Sequence, residues 1–146
     1  MSNTYTQVYI HFVFAVKYRK ALIHPNWKDE LLSVITSMIQ NERHKVIAIN
    51  CMSDHVHLFC GMSPEQSFSE FMRNVKSFSS KWINDKGFTE QVFRWQTGYG
   101  AFSYSKSQIH IVANCIANQE KHHAKKSFQE EYIKCLNDFG VDFEFF

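Results

Sequence analysis

Apolar and polar positions divide the chain into short extended runs and longer helical ones. From Thr6 to Val16 nearly every residue is β-branched, aromatic or otherwise apolar. Val8, Ile10, Phe12, Phe14 and Val16 fall on one side, and Tyr9, His11, Val13 and Ala15 on the other. A strand that is apolar on both faces belongs in the interior of a sheet. Pro25 opens a stretch in which Trp27, Leu31, Leu32, Ile35, Met38 and Ile39 recur at helical spacing. Lys45 to Met52 and His55 to Gly61 read as two further strands, joined tightly across Ser53-Asp54 into a hairpin.

A second helix announces itself by its start. Ser67-Phe68-Ser69-Glu70 has the form of a capping box, in which the serine hydroxyl and the later carboxylate satisfy exposed backbone N–H groups. Phe68, Phe71, Met72, Val75, Phe78, Trp82 and Ile83 then form an apolar stripe, and Gly87 is the natural stop. The opposite face carries Arg73, Lys76, Ser77, Ser80 and Lys81. Such a stripe suits a solvated surface by default, and a phosphate-facing one if the chain binds DNA. Gly98 to Ser103 reads as a strand near the sheet edge, where glycine permits close approach of another backbone or a ligand. Ser105 can cap a helix from about Lys106 to Lys126, with Ile109, Val112 and Ile116 as its apolar residues. After Ser127 a shorter helix is expected from Phe128 to Phe139, ended by Gly140, and then an extended tail.

The order is β-α-β-β-α-β followed by helices. It predicts an α+β fold, the ferredoxin-like split βαβ sandwich, with an antiparallel sheet, helices on one face and additional C-terminal helices. No repeat or linker divides the chain, so residues 1–146 are expected to form a single domain.

Composition narrows the setting. The chain is 45% hydrophobic and carries 14 Phe, 6 Tyr and 3 Trp, enough for a substantial core. A net charge of +2 is mildly basic and does not by itself demand a nucleic-acid partner. The four cysteines, Cys51, Cys60, Cys115 and Cys135, include no CxxC pair. No apolar run is long enough to span a membrane, and the first residues do not form a signal peptide. A cytoplasmic protein with reduced thiols is expected.

The candidate chemistry lies in the third strand. His55 and His57 share one face with Phe59, while Val56, Leu58 and Cys60 form an apolar face opposite. Two imidazoles one pleat apart suit one metal ion, but in isolation such a pair is more often a core or surface feature. On the late helix Cys115 and Gln119 stand at i, i+4 on one face, with His122-His123 a turn further on. A glutamine carbonyl oxygen is a hard ligand that suits Mg²⁺ or Mn²⁺ beside imidazoles and water.

These segments together resemble a known family. Asp54-His55-Val56-His57-Leu58 is similar to the HUH motif, histidine-hydrophobic-histidine, of single-tyrosine transposases. Val112 to His123 resembles that family's helix, in which Tyr-Ile-x-x-Gln precedes a histidine pair. Gly98 to Ser103 and Lys126 to Tyr132 resemble the REP-associated tyrosine transposase branch, a relative of the transposases of small bacterial insertion sequences. The resemblance runs from the first strand to about Gly140.

It implies that His55, His57 and Gln119 hold a divalent metal that polarises the scissile phosphate of single-stranded or hairpin DNA. It also implies a tyrosine nucleophile four residues before the glutamine, forming a 5′-phosphotyrosine and conserving the bond for rejoining. Phosphate contacts would come from Lys17, Arg19, Lys20, Arg73, Lys76 and Lys81. In many members the nucleophile helix of one subunit completes the site of another, so a homodimer and a monomer both stay open.

The nucleophile position departs from the pattern, because this chain has Cys115 there. A thiol is shorter than a phenol and poorly matched to phosphodiester attack beside a hard metal. The expectation is a DNA-binding transposase relative whose cleavage is impaired. Tyr99, Tyr104 and Tyr132 are not placed one turn before Gln119 and are poor substitutes. The alternatives are a non-cleaving DNA-binding module and a zinc-binding regulator using His55, His57 and Cys115.

Overall fold

The computed structural model describes residues 5–117. Its elements follow the expected order: β1 (Tyr9–Ala15), α1 (Pro25–Asn41), β2 (Lys45–Cys51), β3 (His55–Gly61), α2 (Phe68–Lys86), β4 (Gly100–Tyr104) and α3 (Ile109–Ala117), with short 3-10 turns at Lys17–Arg19 and Lys106–Gln108. Gln119, Tyr132, the rest of the long C-terminal helix, the helix expected at 128–139 and the tail all lie outside the described residues.

The four strands form an antiparallel sheet in the order β2-β3-β1-β4, so the doubly apolar β1 is central, as its pattern requires. This is the ferredoxin-like arrangement. One face of the sheet carries the main core. Ile10, Phe12, Phe14 and Val16 meet Val56, Leu58 and Cys60 there, beneath Trp27, Leu31, Ile35 and Ile39 of α1 and Phe71, Met72, Val75 and Ile83 of α2. The two helical stripes and the two strand faces are all apolar, so their burial is the main source of stability.

Of the capping signals of α2, the serine and the glycine act as the sequence suggests. The Ser67 hydroxyl accepts from the Glu70 N–H at 3.2 Å, and Gly87 ends α2 in the left-handed region at φ 69°. Before α1 the cap is an unexpected one: the His24 imidazole accepts from the Asn26 N–H at 3.1 Å.

Two details of the sheet position the site. On the opposite face of the sheet α3 lies over β2 and β3, where Val112 and Ile116 pack on Phe59. In β2 the register slips between Val46 and Ala48, so that Val46 pairs with Cys60 while Ala48 pairs with Phe59. This bulge places both Ile47 and Ala48 on the α3 side, and Asn50 opposite His57.

Candidate functional site

His55 and His57 project from β3 onto the face beneath α3, and both are buried, with 1% and 3% exposure. Their ring centroids lie 5.0 Å apart. Each ring is held at Nδ1. Asp54 Oδ1 lies 2.6 Å from Nδ1 of His55, and Nε2 of His11 lies 2.9 Å from Nδ1 of His57. At His55 the Asp54 carboxylate accepts from Nδ1–H and leaves the lone pair on Nε2, the arrangement usual for a metal-binding imidazole with a second-shell partner; His57 gains the same arrangement in the tautomer whose Nδ1 donates to His11. The donor set therefore fits a divalent ion. Among the described residues no group of three or more His, Cys, Asp or Glu side chains is arranged around a common metal position. A third protein ligand to a metal held here would be of another residue type or lie outside residues 5–117, and the expected one, Gln119, lies outside the described residues.

His11 is the partner that sequence reading leaves unassigned. It falls on the same face of β1, and the β1–β3 register sets it across from Phe59, two pairs along from Val13↔His57. The ring stacks on His57 at 5.1 Å between centroids and touches Phe102 and Tyr104 of β4. A histidine in an apolar strand signals little until the register shows which side chain it meets.

Asn50 is the second such residue. Its amide nitrogen donates to the carbonyl oxygens of Ile116 at 3.0 Å and Ala117 at 3.5 Å. A side chain directly across the ladder from His57 thus holds the end of α3. The helix that bears Cys115 is pinned to the histidine face within the same chain. Cys115 itself is exposed, and the structure does not group it with His55 and His57 as metal ligands. Cys60, by contrast, is buried in the core, and burial pushes its thiol well above the usual range, consistent with a packing role.

The basic residues divide. Lys17, Arg19 and Lys20 sit in and beside the turn after β1, and Lys17 and Lys20 line a cavity between that turn, the start of α1 and segment 88–94. Arg73 is exposed on α2 and lines a second groove with Ser77, Ser80 and Lys76. Arg94, which carries no sequence signal, lines both and links the two basic groups. Lys76 is half-buried and donates to the carbonyl oxygens of Gln96 at 2.8 Å and Gly98 at 2.5 Å, so it also ties α2 to the strand-entry segment. Its burial lowers the ammonium pKa. Lys81 pairs with Asp85 at 2.7 Å and lines neither groove.

With this geometry in place, comparison with known proteins is decisive at the level of family. Residues 4–119 match the family model described as transposase, IS200 like. The chain belongs to the IS200-like transposase family. It is 25% identical over 107 residues to the transposase of insertion sequence element IS200 from Salmonella typhimurium, covering 69% of this chain and 70% of that protein. It is 28% identical over 75 residues to the ISDra2 transposase TnpA of Deinococcus radiodurans, covering 51% of this chain and 54% of that one. Among solved structures, the REP-associated tyrosine transposase bound to a REP hairpin superposes with a TM-score of 0.62 at 13% identity, covering 84% of this chain and 73% of that one. That likeness establishes the shared fold. Among the described residues no helix is long and apolar enough to cross a membrane.

Proposed function

We propose that this protein binds single-stranded or hairpin DNA at a divalent-metal site built on His55 and His57 and completed by Gln119, and that its strand cleavage is impaired because Cys115 stands at the family's tyrosine position. The observation that carries the reading is the pair of buried imidazoles, each engaged at Nδ1, on the face to which Asn50 pins α3. Mg²⁺ or Mn²⁺ suits two imidazoles and an amide oxygen. When bound, such an ion supplies Lewis-acid polarisation of a phosphate oxygen. The chain's own residues do the rest. Asp54 and His11 orient the two rings, Asn50 sets the height of α3 above them, and Lys17, Lys20, Arg73 and Arg94 offer positive charge to the DNA backbone. A structural relative bound to a REP hairpin supports the choice of DNA.

The test is a covalent-adduct assay with labelled hairpin DNA and Mn²⁺. The unmodified chain should bind in a salt-sensitive manner and leave no adduct after denaturation. Cys115→Tyr should produce one. An adduct with the unmodified chain would refute the impairment, and loss of DNA binding in both would refute the DNA partner.

A further inference from the structure

We propose that the cavity beside the turn Lys17–Arg19 takes one unpaired DNA nucleotide, its base against Tyr18 and its phosphate against Lys17, Lys20 or Arg94. The proposal rests on the reading of the chain as a DNA-binding protein and adds to it a second binding site, away from the histidines, that selects single strands.

The first observation is the cavity's size and lining. It measures about 620 Å³, within the range of small-ligand sites. Trp27 and Phe88 line it as a stacked pair, with centroids 4.9 Å apart and planes 4° from parallel. Its mouth carries three cationic side chains against the one carboxylate of Glu90. This pairing of aromatic surface with positive charge matches the two faces of a nucleotide.

The second observation is strain. Tyr18 and Arg19 adopt left-handed backbone conformations, at φ 60° and 54°. Each is disfavoured for a residue with a Cβ, and two in succession persist only where the surroundings enforce them. The enforcing bonds are present: Lys17 N–H donates to the Arg94 carbonyl at 3.0 Å, and Arg19 N–H to that of Val16 at 2.8 Å. The outcome is a tyrosine held 77% exposed at the rim of the cavity, with the Lys17 ammonium 5.3 Å from its ring centre. The protein spends backbone strain on displaying an aromatic face to solvent, and an unstacked base is a partner for such a face.

The third observation is position. Val16 N–H donates to the Asp54 carbonyl at 2.8 Å, and the Asp54 carboxylate holds His55. The turn is therefore anchored to the residue next to the histidine pair, and the cavity lies at the same end of the sheet as that pair. A paired base cannot reach Tyr18 without leaving its stack, so the site discriminates single strands from duplex.

The experiment measures fluorescence anisotropy with two probes, a DNA hairpin carrying single-stranded arms of randomised sequence and the same hairpin cut blunt. The unmodified chain should bind the armed hairpin more tightly. Tyr18→Ala should weaken the armed hairpin about tenfold, the order of one lost base stack, and leave the blunt one unchanged. Tyr18→Phe should retain the preference. Tyr18→Gly should weaken it equally while holding or raising Tm, because glycine relieves the φ of 60°. Equal binding of the two hairpins by the unmodified chain, or equal weakening of both by Tyr18→Ala, would overturn the nucleotide site and leave DNA binding standing. Binding of neither hairpin would overturn both.

Discussion

The two faces of the sheet are built from the same strands and do opposite work. On the α1/α2 face, β1 and β3 present only carbon and one thiol, and the helices above them match this with apolar stripes. On the histidine face the same strands present His11, His55 and His57, β2 adds Asn50, and the apolar contact falls to two small clusters, Val13, Ala15 and Phe102 in one and Phe59, Val112 and Ile116 in the other. The first face is closed by one large apolar area, the second by smaller apolar clusters and directed bonds. A sheet can thus hold its fold with one side and leave the other for polar groups that would be costly in a dry core.

The contrast can be broken from either side. The largest effect on stability is expected from Phe12→Ala, which empties a fully buried site on the core face: a loss of about 3–5 kcal/mol in urea unfolding. A loss no larger than that of an exposed position would mean that the core face is not what holds the sheet. His57→Ala should do the reverse. Mn²⁺ affinity measured by titration calorimetry should fall more than about 100-fold, beyond the cost of losing a second-shell partner, while the unfolding midpoint moves less than for Phe12→Ala. Unchanged Mn²⁺ affinity would remove the metal from the histidine face. Asn50→Ala gives the smallest effect and the most local. It deletes the donor to two carbonyls and should cost about 1–2 kcal/mol. Hydrogen exchange should quicken in α3 and stay unchanged in β1 and β3; uniform quickening would show that Asn50 supports the sheet and not the helix.

Much of the core face was legible in the sequence because it is written in local periods. The double apolar character of β1, the stripe of α1, the capping serine and stopping glycine of α2, and the bounds of β3 each need only neighbours along the chain. The histidine face was legible only in its own strand. His11 acquires a role through the β1–β3 register, Asn50 through the β2–β3 register, and Arg94 through an irregular segment that packs between two grooves. Lys76 shows the converse. Its place on a polar helical stripe predicts a phosphate contact, and only tertiary packing reveals the carbonyls of Gln96 and Gly98 around its ammonium. Long-range pairing, and not residue type, decides these roles.

The slip in β2 works as a phase shift. A strand reads out its residues alternately to left and right, and one inserted count reverses the reading for everything beyond it. Without Ile47 as the extra count, continuing the register from Val46↔Cys60 would set Ile49 opposite His57 and turn Asn50 toward Val56 and the hydrocarbon interior. The anchor for α3 would disappear and an amide would be stranded in the core, with no residue near the histidines altered. The integrity of the polar face thus hangs on the parity of a neighbouring strand, a property carried by the number of residues and not by their chemistry.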